Sequence, residues 1–348
     1  MTRSRNGAPV AASLSQTLIT GTYRSGTELL SLLLSSHPEL SSTMYHVNVL
    51  RFCVGRYDPI AQAGRLRCAL ADLGVRLADR YRIELDTDRA FDACLARAPV
   101  TYGVLYDVVM TQLWLAGRRR HWAEKCQLLW REIPAFLSMM PNGRAILVVR
   151  DPRSVLASFK RYTSAPGKRY LEAVFNAYDA MKAALDYAGR LAEDRFRMIR
   201  YEDLAAAPEA AAAGLLEFLG LDPARADFSR ARWRDAYGRS WRANSAFGAD
   251  GADFDVAASI DRWRGNLTDA EIALCEWVTG EQMAAFGYRR CRPEVEPAEV
   301  VRLALQDPAI AEHLRTWALT GRGIEAFPSD PLLPENWERP TAVAARSA

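Results

Sequence analysis

Residues 21–27 read Gly-Thr-Tyr-Arg-Ser-Gly-Thr, with Gly21 and Gly26 at the G-x-x-x-x-G spacing of a phosphate-binding loop. Glycine allows positive φ and a close approach of the backbone to an anion. A short apolar run precedes the loop and an apolar helix follows it. The loop N–H groups would then converge at the positive end of that helix. Where a nucleoside triphosphatase carries its lysine this loop has Thr27, and its one strong cation, Arg24, comes earlier, followed by the hydroxyls of Ser25 and Thr27. A triphosphate needs a cation at its β and γ phosphates and a hydroxyl on Mg²⁺. This loop suits a smaller, less charged phosphate or sulfate group held without a metal. A tight strand–helix connection with a surface arginine would have the same string.

A second cluster lies at 144–159, RAILVVRDPRSVLASF. Its apolar run predicts a strand over 145–150 that ends on Arg150. Asp151-Pro152 is an N-cap followed by a first-turn proline, so a helix begins there and carries Ser158. In a parallel sheet this strand end opens on the same side as the glycine loop. Arg150 offers a planar fork of donors suited to a phosphate. The bland alternative makes Arg150 and Arg153 solvated residues at a helix start. Asp151 could instead ligate Mg²⁺, although Pro152 after it favours the cap.

Other strands are expected at 17–20 and 196–201, and helices at about 25–36, 168–191, 208–219, 268–285 and 297–305. Pro38 closes the first helix, and His37 in HPEL helps to end it. Strands each followed by helices give an α/β fold, a mainly parallel central sheet flanked by helices. Residues 45–124 are helical in period and rich in aromatics, and form an inserted region. Residues 1–15 read as a flexible N-terminal arm, 16–291 as the main domain and 292–348 as a C-terminal extension whose Pro- and Ala-rich end is not expected to pack.

The 348 residues carry a formal net charge of +3, too small to point to nucleic acid or a membrane surface. No signal peptide and no apolar run long enough to span a bilayer are read. The six cysteines are scattered without a CxxC pair, consistent with buried thiols in a cytoplasmic protein and with no metal site. The Ala and Arg content fits a bacterial genome.

Together these segments resemble the sulfotransferases that use 3′-phosphoadenosine 5′-phosphosulfate (PAPS) and release 3′-phosphoadenosine 5′-phosphate (PAP). That resemblance implies a P-loop-like sulfotransferase fold. In that family a [K/R]-S-G-T-[T/S] loop binds the 5′-phosphosulfate, and here it stands as Arg24, Ser25, Gly26, Thr27 and Glu28. An arginine and a serine eight positions later bind the 3′-phosphate, matching Arg150 and Ser158. RYEDL at 200–204 matches a strand end beside the nucleotide, with Tyr201 facing adenine. ANSAF (243–247) and SIDRWRGNLT (259–268) resemble the late segment whose basic residues close over it, here Arg262 and Arg264, while Trp263 reads as core. Lys125 in WAEKC matches a lysine near the sulfate, although alone it reads equally as an ordinary surface lysine.

The resemblance implies in-line transfer of a sulfuryl group to a hydroxyl of a small-molecule or carbohydrate acceptor, generally without a bound metal. Residues 45–124 would wall the acceptor. Two departures stand out. Glu28 replaces a small hydroxyl residue, and a carboxylate beside an anion is repelled, so Glu28 is expected to turn away. The family's general base is a histidine or a glutamate, and the nearest titratable residue after the first helix is His46, which titrates near neutrality. His121 and Glu39 are weaker candidates. Two other readings remain open: an ATP-dependent small-molecule kinase with Asp151 on the metal, and a PAPS-binding module that does not turn over.

Overall fold

The computed structural model describes residues 15–44, 47–115, 119–163, 166–230, 233, 259–292 and 294–325. The two most apolar strands lie side by side in the middle of one sheet. β1 (Ser15–Gly21) and β4 (Arg144–Val149) run parallel, with Ile19 opposite Ile146 and Gly21 opposite Val148. With β2 (Leu40–Met44), β3 (His121–Lys125) and β5 (Phe196–Arg200) they form the order β2-β3-β1-β4-β5, every neighbouring pair parallel.

Between and beyond the strands come α1 (Thr27–Leu34), α2 (Val49–Phe52), α3 (Ala63–Tyr81), α4 (Thr87–Leu95), α5 (Tyr102–Trp114), α6 (Ile133–Met139), α7 (Pro152–Tyr162) and α8 (Glu172–Arg190). α9 (Tyr201–Ala206), α10 (Pro208–Phe218), α11 (Asp269–Ala285), α12 (Pro297–Ala304) and α13 (Pro308–Thr320) complete the described chain. Both faces of the sheet are covered, so its strands bury alternate residues on opposite sides. Leu18, Trp122, Ala145, Leu147 and Val149 belong to the larger core, which α5, α7 and α8 also fill. Ile19, Ala123, Ile146 and Val148 face the smaller one, built with α1, α9 and α10.

The chain visits β2 and β3 on one side of β1, then crosses to β4 and β5 on the other. The carboxyl end of β1 is therefore a topological switch point, where connections diverge and leave a crevice. The glycine loop, Lys125, Arg150 and Tyr201 all lie at strand ends on this edge.

The expected parallel α/β sheet is present, with several local differences. β3 falls within the stretch read as helical, so the inserted helices end before His121. Its sequence, HWAEK, carries two charged residues that are nonetheless buried. The strand expected at 196–201 ends at Arg200, and Tyr201 already opens a helix, α9. Among its described residues the C-terminal extension has two helices where one was expected, and the second, α13, starts from an Asp307 side chain that accepts the Ala309 and Ile310 N–H groups. Of the arm expected at 1–15, Ser15 already belongs to β1 and the rest lies outside the described residues. No helix among the described residues is long and apolar enough to cross a membrane.

Candidate active site

The glycine loop leaves β1 at Gly21 and enters α1 at Thr27, and its glycines are demanded by close approach. A Cβ on Gly21 would stand 2.6 Å from the Val148 carbonyl oxygen and 2.7 Å from Ser25 Oγ. One on Gly26, whose φ is +95°, would stand 2.2 Å from the Tyr201 ring. The Ser25 hydroxyl donates to the Thr22 carbonyl at 2.8 Å and closes the loop on itself. Arg24 lies in the left-handed region at φ 67°. That conformation costs a non-glycine residue roughly 1–2 kcal/mol and persists where the surroundings over-determine it.

Arg150 is what over-determines it. Its guanidinium donates to the Arg24 carbonyl at 2.7 Å and to the Ser259 carbonyl at 2.9 Å, and lies 4.1 Å from the centre of the Tyr201 ring. The Tyr201 hydroxyl shares a 2.6 Å hydrogen bond with the Ser259 hydroxyl. Arg24 Nε donates to Ser158 Oγ at 2.9 Å, and its guanidinium rests 5.0 Å from the centre of the Tyr162 ring. Burial, and then the neighbouring Arg150, hold the Arg24 pKa below its ordinary value. Two arginines from different strand ends are thus packed into one node. Arg150 is 9% exposed, and among the described residues its buried Nε meets no acceptor. An anion supplied by a ligand would satisfy it.

Lys125 is not a surface lysine. It ends β3 at 1% exposure, and burial brings its pKa down from 10.5 to about 8. Glu28 acts in the opposite sense on both Lys125 and Arg24, its negative charge favouring their protonated forms. Its half-buried position in the first turn of α1 keeps it within their field.

Asp151 caps α7 by accepting the Arg153 N–H at 2.9 Å. Arg153 is not solvated: its guanidinium pairs with Asp151 at 2.7 Å and with the fully buried Glu276 at 2.8 Å, and lies 4.2 Å from the Trp263 ring centre. Trp263 is itself buried in the larger core. With three Arg153 donors on its carboxylate, Asp151 is an ion-pair partner inside the fold and is poorly placed to ligate a metal. Glu202 is a further buried partner of this cluster. It accepts the Asp151 N–H at 3.1 Å and the Tyr288 hydroxyl at 2.5 Å.

The remaining candidates separate by position. Arg264 is 62% exposed at its side chain and pairs with Asp261 at 3.0 Å, and Arg262, two residues earlier, is half-buried. His121 and Glu39 belong to the far end of the sheet, where His121 pairs in register with Ser15 and Leu40. Six residues of β1 separate that level from Gly21, on the order of 20 Å. Neither can serve a site at the glycine loop. His37 accepts the Glu39 N–H at Nδ1, and its Nε2 lies 3.1 Å from the Asp222 carbonyl, a structural role after α1. His46 and ANSAF lie outside the described residues.

A profile described as "Sulfotransferase family" matches residues 17–225, more than half of the chain and every strand of the sheet. The chain belongs to the sulfotransferase family. Among solved structures it is similar to the sulfotransferase domain of the olefin synthase from Synechococcus PCC 7002, at 19% identity and a TM-score of 0.50, covering 82% of this chain and 99% of that one. The sulfotransferase domain of the curacin biosynthetic pathway follows at 18% identity and a TM-score of 0.47, covering 80% and 99%. A sulfotransferase from Mycobacterium avium matches at 16% identity and 0.41, covering 81% and 78%. No curated protein sequence matches.

Within this sulfotransferase-family chain the structure gathers Arg24, Ser158, Arg150 and Tyr201 and adds three residues that the sequence reading passes over. Ser259 clamps Arg150 and Tyr201 together, and Tyr162 supports Arg24. Glu124, fully buried, accepts the Val47 N–H at 2.7 Å, the Asn48 N–H at 3.0 Å and the Tyr106 hydroxyl. Burial pushes its carboxyl above the usual range against those donors. It fastens the start of the inserted helices to the strand that carries Lys125. The only advance signal for Tyr162 is its position four residues after Ser158, on the same face of α7.

Proposed function

We propose that this protein transfers a sulfuryl group from PAPS to a hydroxyl of a small-molecule or carbohydrate acceptor. The observation that carries the reading is the Arg24–Arg150–Ser158 node at two adjacent strand ends. Packing two guanidinium groups together is unfavourable until an anion joins them, and PAPS brings two anionic groups, a phosphosulfate and a 3′-phosphate. The Arg150 Nε, without an acceptor among the described residues, fits such a ligand.

Arg24, the loop N–H groups and Thr27 would hold the phosphosulfate, while Arg150 and Ser158 would hold the 3′-phosphate. Tyr201 supports Arg150 through its ring face. Arg262 and Arg264 come from the segment that would close over the nucleotide. The bound donor supplies a sulfuryl group on an anhydride whose leaving phosphate is already built in. Lys125 and Arg24 then stabilise charge that grows on the bridging oxygen, in a site whose burial strengthens each interaction. His46 is the proposed acceptor of the hydroxyl proton. The donors already on the Asp151 carboxylate weigh against the kinase reading.

Incubation with ³⁵S-PAPS and a panel of phenols, sugars and aliphatic alcohols is expected to give a labelled sulfate ester without added Mg²⁺. Phosphate transfer from Mg-ATP with no labelled ester would overturn the reading.

The Lys125 pKa makes a pH prediction. The ammonium is the useful form, so kcat/KM is expected to fall as pH rises through about 8. Lys125→Met should remove that limb along with most of the rate, and an alkaline limb that survives in the variant would assign it elsewhere. The same lysine also links stability to pH. The folded-state pKa lies below the unfolded one, so the unfolded chain binds the extra proton between about pH 8 and 10.5. This group's contribution to stability therefore rises with pH across that window.

A further inference from the structure

The C-terminal extension lies beyond the residues that the family profile matches, yet its last described segment reaches the turn that roots the glycine loop. After α13 the chain turns at Gly321 (φ 62°), whose carbonyl accepts Lys182 Nζ at 2.9 Å and the Tyr178 hydroxyl at 3.1 Å. Gly323 then presses against α8: a Cβ there would stand 2.5 Å from the Phe175 carbonyl oxygen and 2.7 Å from Asp179 Cβ. From this position the Gly323 carbonyl accepts Arg131 at 3.1 Å, and the Glu325 carboxylate accepts the Arg131 backbone N–H at 2.8 Å. Asp179 completes the grip, accepting Arg131 Nε and Trp130 Nε1, each at 2.8 Å.

Arg131 belongs to the turn that follows Lys125, and the other end of that turn is bonded to β1. Cys126 N–H donates to the Ile19 carbonyl at 2.8 Å, Leu128 N–H to the Gly21 carbonyl at 3.0 Å, and Leu129 N–H to Thr20 Oγ1 at 3.2 Å. Leu128 is left-handed at φ 58°, a strained state for a bulky residue. Arg51 holds the same turn from the inserted helices, donating to the Gln127 and Leu128 carbonyls at 3.1 and 3.0 Å. A strained backbone survives only while its surroundings fix it. Residues 321–325 supply part of that fixing from outside.

We propose that residues 321–325 are a positioning strap for the donor site, in which Gly323 and Glu325 hold Arg131 and thereby set the 126–132 turn and the Gly21 carbonyl at the root of the glycine loop. The proposal rests on the reading of that loop as the PAPS site. It assigns a binding role to a segment outside the matched family region. Coupling between sites is reciprocal, so nucleotide in the loop must also tighten the strap.

Three variants of the full chain test it: Gly323→Val, which cannot keep the close approach, Glu325→Ala, and Glu325→Gln, which retains an oxygen for the Arg131 N–H. PAP affinity measured by calorimetry at 15 °C is expected to weaken about tenfold in the first two and to stay within about twofold in the third. Amide exchange at Cys126, Leu128 and Leu129 should speed up about tenfold in Gly323→Val even without nucleotide. Unchanged exchange at those three amides would overturn the strap. Should the variants fail to fold, the wild-type chain decides: PAP is expected to slow exchange at Arg131 and Ile324, and identical rates with and without saturating PAP would refute the coupling. A wild-type chain that binds no PAP would sink the donor reading instead, leaving the nucleotide-free exchange comparison to judge the strap by itself.

Discussion

Arg150→Ala is expected to weaken PAP binding about a hundredfold. A charge-assisted hydrogen bond contributes about 1.5–3 kcal/mol, and the side chain would also cease to fix the Arg24 carbonyl. Together these reach about 3 kcal/mol, which corresponds to roughly a hundredfold in Kd. Arg150→Lys keeps the charge but cannot reach both the Arg24 and Ser259 carbonyls while stacking on Tyr201. An intermediate loss, about tenfold, is expected there. Calorimetric titration of both variants with PAP decides the matter, and an Arg150→Ala affinity within threefold of wild type would remove this residue from the site.

Three residues later the opposite result is expected. Arg153→Ala should lower the melting temperature by about 10 °C and leave PAP affinity nearly unchanged in the protein that stays folded. Arg153 sits between two carboxylates, Asp151 and Glu276, both almost wholly out of water. Removing one partner from a buried ion pair costs about 3–5 kcal/mol, because the remaining charge keeps its desolvation penalty. Glu276 retains the Cys291 and Arg292 N–H groups, which places the cost toward the lower end of that range. For a domain of this size about 2–4 °C per kcal/mol gives the stated shift. Calorimetric melting of the variant checks it, and a melting temperature within 2 °C of wild type would show that the pair is not sustaining the packing of α7 against α11.

The two arginines share a motif, RDPR, and nothing in its spelling separates the one proposed to hold the donor from the structural one. What separates them is tertiary: Glu276 arrives from α11, more than a hundred residues away. The same limit explains β3. HWAEK has the charge of a surface segment, and only a sheet buried on both faces, with Tyr106 and two backbone N–H groups waiting for Glu124, makes it a strand. β1 and β4 were legible because runs such as LIT and AILVV have no stable place except a doubly covered sheet. Asp151-Pro152 announced α7, and Asp307-Pro308 announces α13 by the same capping chemistry, although the surrounding Pro- and Ala-rich tail obscured it. The glycine loop was legible in its residue types. Its dependence on a left-handed Arg24 held by Arg150 was not, since that requires two strand ends to be neighbours in space.

Those neighbours carry the account, and the most direct test is diffraction from crystals grown with PAP. The expected map has the 5′-phosphate on the backbone amides of the glycine loop and the 3′-phosphate between Arg150 and Ser158. Density for the nucleotide elsewhere, or a 3′-phosphate that leaves Arg150 untouched, would contradict it.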